Sequence, residues 1–89
     1  MSSVSFEQLI SNLEALKNDI QAAIYRMNGT KQSIKENVNG IASSVKGSQN
    51  GPQALSLMQA SESELEKACQ LAQDAISMCD QDIANIQTH

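Results

Sequence analysis

The sequence predicts an all-α fold, an antiparallel two-helix hairpin of coiled-coil character, and three observations predict it. Apolar residues recur at every seventh position through Phe6, Leu13, Ile20, Met27, Ile34 and Ile41, a helical period rather than the alternation of a strand. A second run, Leu55, Met58, Leu65, Cys69, Ala72, Ile76, Cys79, Ile83 and Ile86, keeps three- and four-residue steps and is interrupted only by Glu62, as expected of a helix seam. Between the runs lies "KGSQNGPQAL", residues 46 to 55, with the only proline and two of the four glycines. Such a stretch ends one helix and turns the chain before the next.

Helix one is expected over about residues 5–46. Its companion stripe, Leu9, Leu16, Ile24, Val38 and Val45, drifts around the helix, as a 3.6-residue period does against a seven-residue repeat. Asn28-Gly29, inside "MNGT", predicts a kink or a brief break near residues 28–30. The heptad phase survives the crossing, which favours a bent helix over a reversal and leaves a third short helix as the alternative. Gly47 is placed to terminate helix one, and residues 47–51, with Gln49, Asn50 and Gly51, form the turn. Pro52 suits the first turn of helix two, where no backbone N–H is needed. Helix two, about residues 52–87, has no glycine or proline after Pro52. The expected hairpin core is Leu13, Ile20, Ile34, Val38, Ile41 and Val45 against Met58, Leu65, Cys69, Ala72, Ile76 and Cys79. Glu62, a charge in the seam, is expected at an edge or against a partner.

Eighty-nine residues make one domain near the lower limit for a single core. Phe6 and Tyr25 are the only aromatics, so the core must come from aliphatic side chains, which suits helix packing. The net charge is −4 and the six basic residues are scattered. That excludes nucleic acid as an expected partner, because phosphate binding needs clustered cations. No stretch approaches the roughly 20 apolar residues of a membrane span. The opening "MSSVSFEQLI" lacks the basic and apolar regions of a secretory signal peptide, so any export is expected through a signal-independent machine.

Catalytic and metal chemistry find no foothold. His89 is the only histidine and the last residue, so neither a serine nor a cysteine nucleophile has an imidazole base in sight. Cys69 and Cys79 lack the Cys-x-x-Cys spacing of a zinc or redox site. Ten residues apart on one helix, they are separated by roughly 15 Å of rise, too far to bridge each other. They are reduced core residues or, alternatively, half of an inter-subunit disulfide. Glu62, Glu64, Glu66 and the Asp80–Asp82 "DQD" are expected to form a solvated acidic face on helix two. No enzyme and no cofactor are expected.

Leu57, Leu71 and Met78, with Ala68 and Ala75 nearby, make a second apolar strip on helix two. One helix cannot cover both strips. Either a partner covers the second, another copy or another helical protein, or the chain folds back as three helices and covers it itself.

The stretch "VNGIASSVKGSQNGPQALSLMQASESEL", Val38 to Leu65, resembles the needle subunits of bacterial type III secretion systems. Those are small helical hairpins whose loop carries Pro-x-x-Pro, with a Leu and a Gln following at the spacing seen here in Pro52, Leu55 and Gln59. Gln49 stands where the family has its first proline, and "AISMCDQDIANIQ" is similar to its isoleucine-bearing C-terminus. The resemblance implies a subunit that polymerises helically into a hollow extracellular filament, with the C-terminal helix lining the channel and the loop between subunits. It implies unfolded effectors in the lumen, dedicated chaperones before export, and base and tip proteins as neighbours. The subunit would be cytoplasmic first and at the cell surface or secreted afterwards. Leu55, Gln59, Ile83 and Ile86 match positions relevant to assembly, and Leu57, Leu71 and Met78 complete the expected subunit or partner interface.

Two other classes fit the hairpin. Small Trp-x-Gly helical hairpins of type VII secretion act as dimers or pair with a toxin's helices, although no Trp-x-Gly occurs at this turn. A small helical chaperone or scaffold is the third.

Overall fold

The computed structural model describes residues 5–88. It shows two helices, α1 (Phe6–Ile41) and α2 (Gly51–Gln87), packed antiparallel as a hairpin of 64 × 25 × 15 Å. Ser5 caps α1: its hydroxyl accepts from the Gln8 amide at 3.1 Å, satisfying one of the free N–H groups of the first turn. The break expected at residues 28–30 is absent, because α1 runs through Asn28 and Gly29 uninterrupted. A single glycine costs a helix about 1 kcal/mol against alanine, and seam packing on both sides of Gly29 outweighs that. Among the described residues no helix is long and apolar enough to cross a membrane.

Helix one stops five residues earlier than expected, and serine rather than glycine stops it. The Ile41 carbonyl accepts from the amides of Ser44 (3.0 Å) and Val45 (3.3 Å) and from the Ser44 hydroxyl (2.8 Å). Serine competes with helical hydrogen bonding in this way. Gly47 is not the terminator: no glycine has positive φ, and a side chain at Gly47 would meet nothing within 4 Å.

The joint is tied instead by Ser48. Its hydroxyl donates to the Val45 carbonyl at 2.8 Å and accepts from the Gly51 amide at 2.9 Å, while the Ser48 amide also donates to Val45 at 3.0 Å. Asn50 makes no side-chain cap, so Ser48 holds the first N–H of α2. Gly51, not Pro52, opens the helix, with Pro52 next. Gln49, Asn50 and Pro52 are exposed.

Ion pairs mark the register. Lys17 meets Asp80 at 2.7 Å, Lys31 pairs with Glu66, and Lys35 reaches Glu62 at 3.7 Å. Fourteen residues along α1, Lys17 to Lys31, correspond to fourteen back along α2, Asp80 to Glu66. The Cys69 thiol donates to Asn28 Oδ1 at 3.6 Å in the same register. One side of the hairpin therefore carries the α1 row Ile10, Lys17, Ile24, Lys31, Val38 and the α2 row Leu55, Glu62, Cys69, Ile76, Ile83. The α1 row does not drift to Leu9 and Leu16, which stay exposed. The two lysines occupy its missing places and spread their aliphatic stems over the seam.

Val38, Cys69, Cys79 and Ile83 form the buried core. Leu13, Ile20, Ile34, Val45, Leu65, Ala72 and Ile76 are half-buried along the seam. Two expected core residues are not core: Ile41 is 49% and Met58 42% exposed. Both belong to the rows on the side away from the ion pairs, which no lysine stem covers. Both cysteines are free and buried.

Candidate functional site: an apolar side

The rows Phe6 to Ile41 on α1 and Met58, Leu65, Ala72, Cys79, Ile86 on α2 point away from the lysine–carboxylate pairs. Flanking them are Leu9, Leu16 and Ala23 on α1, and Ala68, Ala75, Leu57, Leu71 and Met78 on α2. Among the described residues, nine large apolar ones are exposed: Phe6, Leu9, Leu16, Tyr25, Ile41, Leu57, Met58, Leu71 and Met78. Helical spacing puts every one except Tyr25 on this single side. A scatter of exposed hydrophobics is ordinary; this alignment is not.

Shape supports the same site. Ala23, Ala68 and Ala75 are half-buried, and their small side chains leave a low strip on this side. Leu57, Leu71 and Met78 rise beside it, each about two-thirds exposed (65%, 69% and 65%). Covering those three is worth roughly 3–6 kcal/mol before the cost of association. The total accessible surface is 6682 Å², whereas a compact protein of 9.6 kDa has about 5100 Å². The hairpin alone leaves a large part of its coverable surface wet.

The opposite side is finished by charge. Of the carboxylates expected to be a solvated face, Glu62, Glu66 and Asp80 bind lysines of α1 on this side, whereas Glu64 lies in the row of Leu57, Leu71 and Met78 and pairs locally with Lys67 at 3.2 Å. Asp80, by hydrogen bonding and charge, raises the pKa of Lys17, and Glu66 does the same for Lys31. Lys31 in return holds the Glu66 carboxyl below its ordinary range. The pair's contribution is therefore complete above the unfolded carboxylate pKa and lost as pH falls through the lower folded one. At the alkaline end it persists below the unfolded lysine pKa and is lost as pH climbs through the raised folded one. Thermal melts across pH should show both limbs, and Lys31→Leu should flatten the Glu66 part of the acid limb. A wild-type and variant melt that track each other at acid pH would contradict this.

Of the residues expected at an interface, Leu57, Leu71, Met78 and Gln59 are exposed. Ile83 is not available: it is buried in the hairpin, because its row faces α1 beneath the ion pairs. Leu55 and Ile86 are half-buried in the seam. Leu9 and Leu16 were missed as surface residues, since a drifting stripe disguised them as core. Their signal was the perfect alternative row through Lys17 and Lys31, which becomes visible once long-stemmed lysines are allowed at seam positions. His89 lies outside the described residues. No protein-family model, curated protein or solved structure matches this chain.

Proposed function

We propose that this chain is a non-catalytic interaction module that works by laying its apolar side against another helical surface. The observation that carries it is the alignment of Phe6, Leu9, Leu16, Ile41, Leu57, Met58, Leu71 and Met78 on one side, opposite a side closed by three inter-helix ion pairs. One such side suits a discrete complex, a dimer or a pairing with a second helical protein, as in the small hairpins of type VII secretion or a helical chaperone. A filament needs two different complementary faces on each subunit.

The needle-subunit proposal keeps one supporting observation of its own, the run Pro52, Leu55 and Gln59 at the joint, where Pro52 and Gln59 are exposed. In that proposal the joint supplies the second face, effectors pass through the lumen, and the subunit is exported to the cell surface. Ile83, another position matched to that family, is buried in the hairpin.

Leu71→Asp and Met78→Asp test the association. Each should leave helical circular dichroism within about 10% of wild type, because both side chains are exposed, yet weaken association at least roughly tenfold. Sedimentation velocity and electron microscopy read the outcome. Unchanged association in both variants sinks the proposal, and hollow filaments from the wild type select the needle form.

A further inference from the structure

We infer that the apolar side is closed by a second copy of this chain, related by a two-fold axis at the level of Ala23 and Ala75, with Asp19 of each copy paired to Arg26 of the other. The inference rests on the association proposed above and names its partner and register.

An interface with two-fold symmetry must complement itself, so that residue i meets j and j meets i. Asp19 and Arg26 lie one heptad apart on the α1 rim of the apolar side, each three residues beyond a flanking position, Leu16 and Ala23. Both are exposed, and neither has an ion pair among the described residues. Asp19 is four residues before Ala23 and Arg26 three after it. An axis at that level lays α1 antiparallel on α1 of the second copy and exchanges the two charges.

The hairpin register puts Ala75 beside Ala23, and the same axis acts on α2. Leu71 is four residues before Ala75 and Met78 three after, so each falls opposite the other across the interface. At the ends, Phe6 and Ile41, 64% and 49% exposed, stand seventeen and eighteen residues from Ala23 and also come together. One axis thus exchanges the unpaired rim charges, the ridge residues Leu71 and Met78, and the two exposed end residues, while Leu57 and Met58 lie past the end of the second copy's α2 and outside the contact. The half-buried alanine strip lets the helices approach closely there.

The test is charge exchange on the full chain. By sedimentation velocity over a concentration series, the wild type should form a dimer. Asp19→Arg and Arg26→Asp, which oppose like charges, should each weaken it about tenfold. The double exchange, Asp19→Arg with Arg26→Asp, should return the dissociation constant to within about threefold of wild type. Circular dichroism checks that all three stay helical. A dimer indifferent to the single exchanges, a double exchange that fails to restore it, or larger polymers in place of a dimer overturns the inference. A chain that stays monomeric also overturns it. If that monomer binds an apolar-surface dye and Leu71→Asp abolishes the binding, the association surface survives for another partner. If it binds none, both proposals fall.

Discussion

Gly51→Ala is expected to lower the thermal midpoint by about 10 °C, the largest effect of a single methyl group anywhere in the joint. A Cβ at Gly51 would lie 2.5 Å from the Val45 carbonyl oxygen and 2.8 Å from Val45 Cβ, and would collide with the Ser48 hydroxyl. The hydroxyl cannot swing away freely, since it links the Gly51 amide to the Val45 carbonyl. The carbonyl is backbone and moves only with the turn. Overpacking of this kind costs about 1–3 kcal/mol, which for a domain of this size corresponds to about 4–8 °C per kcal/mol. Alanine is otherwise the better helix former, so helix propensity alone predicts the opposite sign. Gly47→Ala is the control: a Cβ there meets nothing within 4 Å, and its melt should match wild type or rise slightly. Equal melts for the two variants would show that the close approach at Gly51 does not hold the joint.

Ile83→Asp is expected to unfold the chain rather than dissociate it. Ile83 is 9% exposed and sits near the open end of the hairpin with Cys79 as the nearest other buried residue. A carboxylate there loses the apolar contact and leaves a charge with no partner, at a cost of about 3–5 kcal/mol. Domains of this length have a total stability of roughly 4–13 kcal/mol, so most of the helical signal should be lost at moderate temperature. Met78→Asp, five residues earlier and exposed, should stay helical. Circular dichroism of the two variants side by side separates core from surface. A helical, well-folded Ile83→Asp would return Ile83 to the interface expected from sequence.

Much of the fold was legible because a helical seam writes its period directly into the chain. The α2 row from Leu55 to Ile86 lines the seam except at Met58, which is exposed, and the Glu62 carboxylate meets Lys35 across it. The α1 row was half legible. Phe6 to Ile41 stood out by hydrophobicity, but its companion ran through Lys17 and Lys31, and a hydrophobic template skips lysine even when its stem is buried. Leu9 and Leu16 then filled the gap. Asn28-Gly29 does not break α1, because a local cost of about 1 kcal/mol is outweighed by the packing on either side. Ser44 and Ser48 were passed over for Gly47, since a hydroxyl cap shows its importance only when its partners are placed.

By itself the sequence determined two helices, their antiparallel order and an aliphatic seam, since periodicity and chain breakers are local properties of the chain. Only the tertiary structure decided which two rows face the ion pairs and which are left open. That choice depends on the register between helices, which the packed seam holds and which Lys17–Asp80, Lys31–Glu66 and Lys35–Glu62 mark across 63, 35 and 27 residues of chain. Once those pairs close one side, the remaining apolar residues have nowhere to go but the other, and the surface available to a partner follows from that.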